Sequence, residues 1–134
     1  MKRSKSNVPG AGVEGRERGA VAVEFGIVAP ILLLLLGGIV EFSHMYNLQI
    51  SVTQAAREAA RTMAVEQDDA AAIAAGIAGA PGLNAASFDF DFTGVCDGTP
   101  GNAAVTVTYT AGALTGLLGA SLTLQGEGSM RCGG

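Results

Sequence analysis

At 134 residues the chain has room for about one domain, and a soluble part of roughly half that length is marginal unaided. It is 49% hydrophobic and 15% charged, with a formal net charge of −4 and one histidine. These values speak against a basic nucleic-acid surface, and a lone histidine supports neither a catalytic triad together with a metal site nor a histidine cluster.

The averages conceal a division along the chain. Residues 1–18 hold Lys2, Arg3, Lys5, Arg16 and Arg18 against Glu14 and Glu17, a net of +3. From Glu41 onward three basic residues (Arg57, Arg61, Arg131) face nine acidic ones, a net of −6, so no nucleic acid is expected as a partner there. Between the two lies Ala20 to Val40, in which Glu24 is the only ionisable residue. About 20 apolar helical residues cross the hydrocarbon layer, so residues 20–40 predict one transmembrane helix in a membrane bilayer, preceded by a basic leader, residues 1–19. The basic flank puts the N-terminus in the cytoplasm and the acidic remainder outside the cytoplasmic membrane.

A cleavable secretory signal has a shorter apolar core and a small-x-small site after it. Gly38-Ile39-Val40-Glu41-Phe42-Ser43 offers no such site, and the helical pattern continues. Met45, Leu48, Val52, Ala55, Ala56, Ala59, Ala60 and Met63 recur at three-to-four spacing, with Gln49, Arg57, Glu58 and Arg61 elsewhere. One helix is therefore expected from about Ala20 to Ala64, its outer part, residues 41–66, amphipathic. Pro30 and Gly37-Gly38 interrupt it in the sequence and suggest bending or local melting.

Residues 67–134 read as a small α/β head. Asp68 or Asp69 caps a short helix from Ala70 to about Ala78, which Gly79, Pro81 and Gly82 end. Phe88, Phe90 and Phe92 alternate with Asp89 and Asp91, as a half-buried strand requires, before the turn-rich Asp97-Gly98-Thr99-Pro100-Gly101-Asn102. Val105, Val107 and Tyr109 alternate with Thr106, Thr108 and Thr110, and a third strand near Ser121 to Arg131 completes an antiparallel sheet whose apolar face packs on the long helix. The fold class is thus α+β, a long N-terminal helix with a small C-terminal antiparallel sheet. Cys96 and Cys132 both fall in the outward part, where an oxidising compartment favours a disulfide over two buried thiols.

Little chemistry is visible. No calcium-binding loop surrounds Asp89, Asp91 and Asp97, and alternation accounts for the first two. His44 suits the point where the helix leaves the membrane, although with Glu41 three residues earlier it has the makings of a weak metal or titration site. With no G-x-S-x-G, phosphate loop or Cys-x-x-Cys, we expect no enzyme, no metal site and no cofactor.

Glu24 is the exception, because a carboxylate inside the apolar span costs about 2.5–3.5 kcal/mol if placed centrally. Gly19 follows Arg16-Glu17-Arg18, Glu24 lies five residues beyond it, and Phe25 comes next. Arg18-Gly19-Ala20-Val21-Ala22-Val23-Glu24-Phe25, then Pro30, a leucine run, Glu41-Phe42 and Gln54-Ala55-Ala56-Arg57-Glu58-Ala59-Ala60-Arg61 resemble the TadE-like family of the tight-adherence (Flp, type IVb) pilus. More loosely, Val105 to Tyr109, Leu114-Thr115-Gly116-Leu117-Leu118-Gly119 and the closing Met130-Arg131 look like that family's tail.

The resemblance implies a pilin-like architecture and a type III signal sequence, cut by a prepilin peptidase between Gly19 and Ala20. Partners would be that peptidase, other pilin subunits and the pilus assembly platform. Glu24 would pair with the new amine of Ala20 on a neighbouring subunit, with Phe25 part of the signal. The sizeable head departs from the family's major pilins and points to a minor pilin or pseudopilin, which a surface pilus used in cell adhesion could incorporate. The alternative is a membrane-anchored extracytoplasmic binding or adhesin module whose anchor stays uncleaved; a tethered exported enzyme is a third class, with no residues to support it.

Overall fold

The computed structural model describes residues 14–94, 96–97, 101–116 and 119–133, with side chains from residue 19 onward. The leader's residues 1–13, the centre of the turn after Asp97 and Leu117-Leu118 lie outside these. Helix α1 covers Glu14–Glu66, α2 covers Asp69–Ala78, a 3₁₀ turn covers Ala85–Ser87, and strands β1 (Phe88–Gly94), β2 (Asn102–Gly112) and β3 (Ser121–Arg131) follow. The architecture is the expected α+β one.

Residues 1–38 and 39–134 form two units. In the first, the large apolar side chains from Val21 to Leu36 are exposed, and the helix to which they belong is long and apolar enough to cross a membrane. Exposed leucine and isoleucine on every face suit a helix whose solvent is lipid. Pro30, Gly37 and Gly38 all lie within α1. Proline removes one backbone donor and glycine costs helix propensity, but the surrounding intrahelical bonds persist, and hydrocarbon gives freed groups no better partner.

The second unit is built on the outer part of α1. Met45, Val52, Ala55, Ala56, Ala59, Ala60 and Met63 are buried and Leu48 half-buried, the stripe that the three-to-four spacing marks out. Against it lies an antiparallel meander in the order β1-β2-β3, with Phe88 opposite Tyr109 and Val105 opposite Gly128. Val105, Val107, Tyr109, Ala111 and Leu124 complete the main core. Phe88 stacks at 4.8 Å between ring centroids on Tyr109, whose hydroxyl accepts a hydrogen bond from the Asn84 amide (3.3 Å).

The helix-to-sheet contact is made by small residues on both sides. On β3 the inward positions are Leu124, Gly126 and Gly128. A Cβ on Gly126 would lie 2.7 Å from the Val52 carbonyl oxygen, and one on Gly128 would strike the Ala56 carbonyl. Alanines on α1 and glycines on β3 therefore let two backbones meet, gaining dispersion contacts that larger side chains would prevent. The other side of the alanine stripe takes α2: Gly76 packs between Phe90 and the Ala55 carbonyl. Asp68 is the N-cap, its carboxylate accepting from the Ala71 amide at 3.0 Å.

Candidate functional site on the long helix

The residues singled out as a signal, Gly19, Ala20, Glu24 and Phe25, all lie on α1 and all are exposed; Phe25 shows 72% of its surface. A Cβ on Gly19 would meet nothing within 4 Å. Since one turn is 3.6 residues, Ala20 and Glu24 share a face, whereas Gly19 and Glu24 do not. The Gly19–Ala20 bond sits within the helix, whose first described residue is Glu14. What the stretch presents is one small residue, one carboxylate and one aromatic on an otherwise aliphatic rod.

The two cysteines are brought together, with Cys96 and Cys132 bonded through their sulfurs at 2.00 Å across a separation of 36 residues. They join the chain just beyond β1 to the end of β3, beside Met63, Ala64, Ala72 and Ala103. His44 and the acidic residues assemble no metal site: no group of three or more His, Cys, Asp or Glu is placed to share an ion among the described residues.

Sequence reasoning missed the use of Glu41. It is fully buried, the only buried charged side chain among the described residues. One carboxylate oxygen accepts from the Leu114 amide (2.9 Å), and the other from the Thr115 amide (2.9 Å) and the Thr115 hydroxyl (2.8 Å). All three donors belong to the loop between β2 and β3. The signal was present in the helix period: Glu41 stands four residues before Met45, so the stripe through Met45, Leu48 and Val52 carries it onto the apolar face. A carboxylate there needs donors, and a loop offering consecutive amides supplies them.

Burial pushes the Glu41 carboxyl up, but the Thr115 hydroxyl, the Thr115 and Leu114 amides and the charge of His44 together hold it below its ordinary value of 4.5. A carboxyl whose folded pKa is depressed contributes stability above its unfolded pKa and loses it as pH falls through the folded one. The loop is therefore expected to stay latched at neutral pH and to release only below the ordinary carboxylate range. Protection factors for the Leu114 and Thr115 amides, followed by hydrogen exchange on descending pH, should collapse there while the β2 amides stay protected. Protection independent of pH would show that the carboxylate does not hold the loop.

Searches of curated proteins and of solved structures find no match to the chain. A family model does match part of the chain: residues 19–61, the apolar stretch and the Glu41-led stripe beyond it, are similar to the family described as TadE: TadE-like protein.

Proposed function

We propose that this pilus-associated membrane protein is a minor pilin or pseudopilin of a tight-adherence (Flp, type IVb) pilus, a structural or assembly subunit without catalytic activity. Residues 1–19 are a cytoplasmic leader, 20–40 the membrane span, 41–66 its extracytoplasmic continuation and 67–134 the outer head. A prepilin peptidase removes the leader after Gly19, and the subunit then joins other pilin subunits at the assembly platform. The observation that carries this reading is the spacing of Gly19, Glu24 and Phe25 on an exposed apolar helix, within the segment that the TadE-like model covers.

The physical case rests on the cost of Glu24. In lipid a lone carboxylate is unfavourable, and so is a lone ammonium; cleavage at Gly19 creates one ammonium on Ala20 for each carboxylate on Glu24. Pairing between neighbouring subunits neutralises both and fixes their axial register. The peptidase has to unwind the start of α1 to reach the Gly19–Ala20 bond, which the fraying of helix ends makes inexpensive.

Mass spectrometry of the N-terminus in membranes of the native host tests this. The wild-type chain should begin at Ala20 and Gly19→Leu should remain full length, since a branched side chain occupies the position that the protease requires small. Glu24→Ala should still be cut yet fail to enter assembled pili. An intact N-terminus in the wild-type protein would favour the anchored binding module instead.

A further inference from the structure

Glu41 follows Val40, the last residue of the apolar stretch, so along the chain it stands next to the end of the proposed span. What it holds is the segment that follows β2, through the amides of Leu114 and Thr115 and the Thr115 hydroxyl. Leu114 leaves 59% of its surface exposed. On α1, Phe42 and Tyr46 are also exposed, at 69% and 62%. From Gly98 to Gly126 the sequence contains no Asp, Glu, Lys, Arg or His, so the hairpin end brings no formal charge toward hydrocarbon.

We propose that Leu114 and Thr115, which follow β2, form a lipid-contacting segment, clasped by Glu41 at the outer surface of the bilayer so that Leu114 enters the interfacial layer at the level of Phe42 and Tyr46. The proposal rests on the reading of residues 20–40 as a membrane span.

The clasp fits that setting chemically. Backbone donors lowered toward hydrocarbon are costly unless paired, and Glu41 pairs two of them and a hydroxyl at once. The carboxylate in turn is kept from lipid by those donors. Aromatic side chains at this level match the belt that membrane proteins place at the headgroups. A soluble partner covering Leu114 would need no such position at the end of the span, and charges around the leucine would be tolerated.

The chain contains no tryptophan, so one introduced indole reports from a single site. The full chain carrying Leu114→Trp, reconstituted in phosphatidylcholine vesicles, should show blue-shifted emission that falls when brominated phosphatidylcholine replaces the ordinary lipid. Leu32→Trp, inside the span, should be quenched as well, and Val65→Trp, exposed at the outer end of α1, should emit as in water and be unaffected. Adding Glu41→Gln to Leu114→Trp should shift emission to the red and weaken the quenching, as the loop leaves the interface. Water-like, unquenched emission from Leu114→Trp beside a quenched Leu32→Trp would overturn the inference while leaving the span intact; that is also the outcome if a protein partner covers the leucine. An unquenched Leu32→Trp would overturn the span and the inference together, and quenching indifferent to Glu41→Gln would overturn the clasp.

Discussion

Gly128→Val is expected to unfold the outer head while leaving the apolar span able to insert. Inward-facing Gly128 lies on the Ala56 carbonyl of α1, so that even a single added carbon meets backbone and not the yielding end of a side chain. Overpacking of ordinary cores costs about 1–3 kcal/mol, and a branched residue against main chain belongs at or beyond the top of that range. The head is small, and a domain of this size holds only about 3–5 kcal/mol from its core. Urea unfolding of the full chain in detergent, followed by tyrosine fluorescence, should show the cooperative transition lost or moved far down in denaturant. Gly112→Ala is the control: it too is paired in the β2–β3 ladder, but a Cβ there meets nothing within 4 Å, and its midpoint should be unchanged. A wild-type midpoint for Gly128→Val would mean that β3 does not rest on the α1 backbone.

Removing the disulfide should have an effect of similar size for a different reason. Cys96→Ala with Cys132→Ala opens a loop with a separation of 36 residues, and closure of a loop that long is worth about 4 kcal/mol in the chain-entropy model. The bond ties the irregular segment after β1 to the last residues of β3, next to the backbone bond from the Cys132 amide to the Gly101 carbonyl (3.0 Å). The double variant should therefore lose protection first at the cysteine end of the sheet, beside Ala103, and its unfolding midpoint should match that of the wild type in reductant. Equal midpoints for wild type with and without reductant would remove the bond from the stability of the head. The same cysteines report orientation: a head outside the cytoplasm should run as the oxidised species on non-reducing gels of native membranes, whereas free thiols would place it inside.

These two expectations differ from those for Gly19 and Glu24 in where they act. Glycine at 128 and the cysteine pair decide whether the head exists as a folded body. Gly19 and Glu24 are exposed in the isolated chain, so substituting them should leave its stability alone and appear only in processing and assembly. A stability loss in Glu24→Ala would contradict that separation.

Much of this molecule is determined locally, and the sequence by itself carries that part. Transfer of residues 20–40 into hydrocarbon depends on composition alone. The stripe from Met45 to Met63 follows from a 3.6-residue period, and the alternation of Phe88, Phe90 and Phe92 with Asp89 and Asp91 from a period of two. Asp68 as a cap needs only the residues that follow it. The tertiary structure decided what depends on distant partners. Glu41 is legible as an odd charge on an apolar stripe, but its partners stand 73 and 74 residues away, and only the register of β2 with β3 brings the hairpin end to it. Gly126 and Gly128 look like weaknesses in a strand until the helix backbone is found where their side chains would be. Pro30 and Gly37-Gly38, which local propensity marks as weak points, lie within α1, because propensity is a small term beside the intrahelical bonds around them.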